Sequence, residues 1–186
     1  MFTFKPLDGL PDVVLVEPAR HGDVRGWFAE VYKRSEFGAN GIAAEFRQDN
    51  HSLSAEEGTL RGIHYQVAPF AQGKLIRVVA GEIYDVAVDI RKGSATFGRW
   101  VSTTLSATTG AMLWIPEGFA HGFQTLTPHS EIIYKTTMEY SPPHERGLRW
   151  DDPALVIPWP VPDPVLAPRD RGWPLLSSIG ERRTAW

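Results

Sequence analysis

The stretch that decides the fold class is Lys74-Leu75-Ile76-Arg77-Val78-Val79-Ala80-Gly81-Glu82-Ile83-Tyr84-Asp85-Val86-Ala87-Val88-Asp89-Ile90. Two runs rich in β-branched residues, 75–79 and 83–89, flank a tight Gly81-Glu82 corner, a pattern that predicts a β-hairpin. In the second run Tyr84, Val86, Val88 and Ile90 share one face and Asp85 and Asp89 the other. That alternation predicts a sheet wall with one apolar face.

Outward from this pair, residues 13–138 continue as short runs of Val, Ile, Phe, Trp, Tyr and Thr broken at intervals by glycine. Further strands are expected over 26–34, 44–52, 59–66, 98–106, 111–115, 119–126 and 131–138, and a single short helix over 35–40. Such a succession predicts an all-β sandwich or barrel. Beyond Ser141 the character changes, because seven of the 15 prolines lie between Pro153 and Pro174. Proline there forbids a long helix or a central strand. Trp150, Trp159 and Trp173 give this tail apolar anchors, so the expected organisation is one domain over 1–186: a barrel body, 1–140, and a proline-rich tail, 141–186, wrapping it.

The balance of charge narrows the function. A net charge of -3 and the absence of a basic run speak against nucleic-acid binding, so an anionic ligand must meet a locally basic pocket. There is no cysteine, which removes disulfides, thiolate catalysis and thiolate-bound metals. No segment approaches the ~20 apolar residues of a membrane span, and Met1 to Leu10 do not form a leader, so the expectation is a cytoplasmic enzyme.

Dinucleotide, phosphate-loop, nucleophile-elbow and HExxH signatures are all absent. What remains is a set of polar residues inside aromatic, strand-like segments: Gln48, Asp49 and Asn50, Arg61 and His64, Lys74, His121, and Tyr134 with Lys135. Each has an ordinary explanation alone. A lone His64 in a strand is commonly structural, Lys74 and Arg77 suit a solvated edge, Tyr134 suits an amphipathic core position, Tyr140 loop packing and His121 a turn. Arg61 and His64 are moreover an odd number of residues apart, so they share a face only if the strand bulges, and Gly62 is the place for a bulge.

In their order, Asp23-Val24-Arg25-Gly26, Gln48-Asp49-Asn50-His51-Ser52, Leu60-Arg61-Gly62-Ile63-His64-Tyr65-Gln66, Gln72-Gly73-Lys74-Leu75, Thr96-Phe97-Gly98-Arg99-Trp100, the block from Trp114 to Phe123, and Tyr134-Lys135-Thr136-Thr137 give the chain a specific likeness. It resembles the dTDP-4-dehydrorhamnose 3,5-epimerases, nucleotide-sugar epimerases of the cupin superfamily, over nearly its whole length. The resemblance implies a jelly-roll β-barrel and an isomerase that needs neither metal nor redox cofactor. It implies His64 as base, Asp170 as the carboxylate orienting it, Lys74 as the cation facing an enolate oxygen, and Tyr134 as acid on the opposite face. A nearby cation such as Lys74 is expected to help the sluggish phenol.

The same resemblance implies Arg25, Glu30, Gln48, Asp49, Asn50, Arg61, His121, Tyr140, Glu145 and Arg169 as the groups that hold a dTDP-linked 4-keto-6-deoxy sugar, Tyr140 by stacking on the base. It implies a homodimer in which N-terminal residues, Arg25 and Glu30 among them, reach the partner's pocket. Arg169 stands where the family commonly has lysine, which keeps charge and changes geometry. Three other readings stand beside this one. A metal-binding cupin lacks converging ligands, since His64 has no second histidine two residues on and His121 stands alone. A non-catalytic sugar-nucleotide module leaves the joint presence of His64, Lys74, Tyr134 and Asp170 unexplained. A single-position epimerase or a ketoisomerase is the nearer alternative.

Overall fold

The computed structural model describes residues 1–181. Among them the body is built from β1 (Phe2–Leu7), β2 (Leu10–Pro18), β3 (His21–Asp23), β4 (Gly26–Phe28), helix α1 (Arg34–Ala39), β5 (Gln48–Ser54), β6 (Thr59–Gln66), β7 (Lys74–Ala80), β8 (Glu82–Asp89), β9 (Trp100–Ser106), β10 (Met112–Ile115), β11 (Phe119–Thr125) and β12 (Ser130–Thr136). The rest contributes a 3-10 turn (Pro142–His144), β13 (Glu145–Gly147), β14 (Val165–Leu166) and two short helices, α2 (Pro168–Arg171) and α3 (Ser177–Glu181). One sheet runs β1-β2-β10-β7-β12-β5 and the other β13-β6-β11-β8-β9, with β14 added parallel to β6. This is the expected all-β, jelly-roll architecture.

The central hairpin expectation is corrected. β7 and β8 have the predicted extents, yet they do not pair: β7 lies between β10 and β12, and β8 between β11 and β9 in the other sheet. Gly81 is a corner between sheets. Its φ of +74° is open to glycine, and a Cβ there would lie 2.4 Å from the Ser130 hydroxyl, so the chain turns against β12 with no room for a side chain. β1 is an addition to the expected set. Its alternating Phe2, Thr3, Phe4, Lys5 pairs with β2 as the edge of the first sheet.

The inner faces of the sheets meet in a core of Ile76, Val78, Ile83, Ala87, Leu113, Ile115, Phe119, Phe123 and Ile132. Asp85 lies on this inner face, while Val86, Val88 and Ile90 face outward. That outer face is not solvated as a one-sided wall would be; Leu148, Leu155, Leu176 and Ile179 cover it. The tail is fastened by polar contacts too: the Trp100 and Trp159 indoles donate to the Leu155 and Trp150 carbonyls, and buried Asp152 accepts from the Leu176 and Ala154 amides. On the other sheet α1 inserts Phe37 among Phe2, Phe4 and Tyr32, edge to face.

Candidate active site

Strand periodicity aims a row of side chains into the space between the sheets at one end of the barrel. Gln48 and Asn50 of β5 stand opposite Thr136 and Tyr134 of β12, and Lys74 of β7 stands opposite Thr136. From the facing sheet β6 supplies Arg61 and His64, and β11 supplies His121 in register with His64. The two strands are out of step by one residue between His121 and Phe123, where Phe123 pairs with Arg61. This is the bulge at Gly62, whose φ is +138°, and it turns Arg61 and His64 into the same cavity despite their odd spacing.

The cavity has two adjoining compartments of about 350 and 600 Å³ that share His64, Lys74, Tyr134 and Arg169. Gln48, Asn50, Gln66, Gln72, Tyr140 and Glu145 line the first; Ser52, Arg61, His121, Phe123, Leu166 and Asp170 line the second.

The His64 Nε2 is 2.7 Å from an Asp170 carboxylate oxygen, 106 residues away, which also accepts from the Trp173 indole at 3.2 Å. Burial alone would raise the Asp170 carboxyl; the His64 hydrogen bond and charge, helped by Trp173 and Arg169, hold it below its ordinary value. Trp173 is edge-on to the imidazole and lies flat over Gly147, where any Cβ would meet its ring. α2 thus presents Asp170 while Pro168 at its start sets the chain direction.

A second imidazole–carboxylate pair joins His121 and fully buried Asp85 at 3.0 Å. Sequence reading placed Asp85 on a strand face without a role; its parity with the inward Ile83 and Ala87 was the available signal. Among the described residues no three His, Asp or Glu side chains gather as metal ligands would.

Lys74 is nearly enclosed, and its ammonium donates at 3.4 Å to the His64 carbonyl. Burial pulls its pKa down to about 8 against the carboxylates of Asp85 and Glu145, which oppose the shift. The Tyr134 hydroxyl has no hydrogen-bond partner among the described residues. Burial pushes its phenol up; the cations that pull the other way are Arg61 and Arg169, and Lys74 is not among them. The help expected from Lys74 is therefore supplied by arginines, and it does not overcome burial.

At the rim the Tyr140 hydroxyl donates to Glu145 at 2.8 Å, and Arg169 reaches the same carboxylate at 3.1 Å while its Nε stands 3.6 Å from Asp170. Gln48 fixes the loop by accepting from the Tyr140 amide and donating to Asn50. Arg61 is tied to the Ser54 hydroxyl and the Leu53 carbonyl.

Three expected site residues are not brought into this cavity. Asp49 falls between the inward Gln48 and Asn50, so it points outward and pairs with Lys135 at 2.9 Å. Arg25 and Glu30 lie on and after the exposed β3–β4 ribbon, where Arg25 pairs with Asp23. Gln66, Gln72, Ser52, Asp85 and Trp173 join the site without having been picked out as its members.

The family model described as dTDP-4-dehydrorhamnose 3,5-epimerase matches residues 8–178. The chain is 50% identical over 171 residues to the dTDP-4-dehydrorhamnose 3,5-epimerase of Sinorhizobium fredii, covering 91% of this chain and 88% of that one. The crystal structure of the Bacillus anthracis dTDP-4-dehydrorhamnose 3,5-epimerase, with TDP and PPi bound, superposes with a TM-score of 0.91 at 46% identity, over 94% of this chain and 99% of that one. The Legionella pneumophila dTDP-6-deoxy-D-glucose-3,5-epimerase, in complex with dTDP-4-keto-L-rhamnose, gives 0.90 at 42% identity, over 95% and 94%. With its jelly roll, its His64–Asp170 pair facing Tyr134 and these likenesses together, the chain belongs to the dTDP-4-dehydrorhamnose 3,5-epimerase family.

Proposed function

We propose that the chain is a dTDP-4-dehydrorhamnose 3,5-epimerase, an isomerase that inverts C3 and C5 of a dTDP-linked 4-keto-6-deoxy sugar by moving protons, with no cofactor. The observation that carries it is the placement of His64 and Tyr134 on opposing sheets across one cavity. Inversion beside a ketone needs a base on one face of the carbon, a donor on the other, and a group to hold the enolate oxygen. His64, oriented by Asp170, takes the proton; Tyr134, whose raised pKa keeps it protonated, returns one from the other side; Lys74 faces the C4 oxygen.

Lys74 is suited to that place because its ammonium is dry and near its own titration point, so a developing negative charge is matched by a donor with little water to compete. Asn50, Gln48, Arg61, His121, Glu145 and Arg169 hold the sugar and diphosphate, and the half-exposed Tyr140 ring takes the base. Arg25 and Glu30 belong to this function through a second subunit: exposed Val24, Trp27 and Phe28 around Arg25 support a homodimer in which the ribbon enters the partner's pocket. No helix among the described residues is long and apolar enough to cross a membrane, and we place the enzyme in the cytoplasm, where sugar nucleotides are made.

The test is proton NMR of the sugar in deuterated water. The protein exchanges both the C3 and C5 protons and gives the inverted sugar. His64→Ala abolishes exchange, and Tyr134→Phe loses inversion. Exchange at C3 alone marks a single-position epimerase, and exchange at neither carbon overturns the proposal.

A further inference from the structure

Asp85 is a buried titratable group to which the proposed reaction gives no part. It stands on the inner face of β8 and is fully buried, and among the described residues its carboxylate has one hydrogen-bond partner, His121, whose Nε2 lies 3.0 and 3.1 Å from the two oxygens. The imidazole lines the second compartment of the cavity and Asp85 lines neither, so the carboxylate stands behind the ring. A carboxylate taken wholly out of water on one hydrogen bond is unfavourable unless a cation faces it.

The charges around the cavity show which cation that is. Asp170 of α2 is held by His64, Trp173 and Arg169. Glu145 of β13 is held by Arg169 and the Tyr140 hydroxyl. Arg61 of β6 is tied to the neutral Ser54 hydroxyl and Leu53 carbonyl, and the Tyr134 phenol and the two imidazoles carry no permanent charge. Lys74 of β7 is the cation that remains. It is nearly enclosed, it lines both compartments, and among the described residues its ammonium donates one hydrogen bond, to the His64 carbonyl. His64 and His121 are register partners across β6 and β11, so contacts run from Lys74 through these two strands to Asp85. Of the two carboxylates whose charge favours the Lys74 ammonium, Asp85 acts more strongly than Glu145.

Resting on the proposed epimerisation, we infer that Asp85 is a positioning residue: from behind His121 it is the counter-ion that keeps Lys74 an ammonium, and so keeps a full positive charge where the enolate oxygen develops. An ammonium in an enclosed place sheds its proton unless an anion offsets the hydration it has lost. Setting that anion behind the cavity wall suits the chemistry, because at the greater distance it repels an enolate less than a carboxylate lining the cavity would.

The test is NMR titration of the Lys74 side chain in the substrate-free protein, with lysine carrying 13C at Cε and the signal assigned by its loss in Lys74→Met. In wild type the midpoint lies at about pH 8. Asp85→Asn moves it down by about one unit or more, the effect of removing one charge near a buried group. Asp85→Ser, which removes the charge with a smaller side chain, moves it the same way. Glu145→Gln moves it less, because Arg169 already faces that carboxylate. His121→Asn does not lower it, whereas a carboxylate that served only to orient His121 would make the histidine and aspartate variants alike. When C3 and C5 exchange is followed against pH, the alkaline limb of kcat/KM moves down with the midpoint in both Asp85 variants. A folded Asp85→Asn or Asp85→Ser variant whose Lys74 midpoint equals that of wild type overturns this inference and leaves the epimerase reading intact. A wild type that exchanges neither carbon overturns the epimerase reading and the catalytic role drawn from it, while the titration still decides whether Asp85 holds the Lys74 charge.

Discussion

Gly62 and Gly122 face each other across β6 and β11 at a separation that admits no side chain: a Cβ on Gly62 would lie 2.5 Å from the Gly122 Cα. The bulge that turns Arg61 and His64 into one cavity depends on this closeness and on the φ of +138° at Gly62. Gly62→Ala is therefore expected to destabilise the protein by about 2 kcal/mol or more and to lower kcat/KM about 100-fold or more through displacement of His64. Thermal denaturation and steady-state kinetics on the same preparation check both.

Asp170→Asn keeps a hydrogen-bonding side chain beside His64 and removes its charge. The imidazolium that the proposed proton abstraction forms then has no carboxylate to hold it, and kcat is expected to fall about 100-fold or more with a much smaller change in KM. A KM-only effect would assign Asp170 to binding.

Lys74 separates stability from activity. Its buried ammonium titrates near pH 8, below the ordinary lysine value, so the fold disfavours the charged form. The penalty is full below about pH 8 and fades as pH rises toward the unfolded value of about 10.5. Lys74→Met is expected to raise stability at pH 7 by up to about 3 kcal/mol and to lower kcat by about 100-fold or more. Urea denaturation at pH 7 and pH 10 checks the sign, since the gain shrinks at the higher pH.

A prediction for acid concerns a residue outside the site. Burial would raise the Asp89 carboxyl, but the Arg91 fork, the Thr96 and Ser94 hydroxyls and the Arg91 amide together hold it down to about 2. Because its folded pKa is depressed, its contribution is present above about pH 4 and lost as pH falls through about 2. Asp89→Asn is expected to cost about 2 kcal/mol at pH 7 and to lose that difference from wild type near pH 2, measured by denaturant titration across this range.

Local pattern carried much of this molecule. β6 has the expected ends, Thr59 and Gln66, and Gly62 bulges as the parity of Arg61 and His64 required. The Gly81 corner failed because two strands joined through one glycine satisfy the same alternation whether they pair or part into different sheets; the choice rests on β12 and β11, far away in sequence. Asp49 was legible in hindsight, since the alternation that turns Gln48 and Asn50 inward turns it out. The partners of the polar residues were harder: Asp85 meets His121 across β8 and β11, 36 residues apart, a pairing that no local window contains.

On the roles proposed for them, the pairing of His64 with Asp170 makes proton abstraction a report on whether the chain has finished assembling. The imidazole comes from the barrel and its carboxylate from a segment laid down 106 residues later, held by Asp152, Trp159 and Trp173. A molecule whose barrel has closed before that segment docks carries an imidazole with no orienting charge. By the proposed mechanism it forms a reactive enolate only slowly, and the last part of the chain acts as the safety catch of the first.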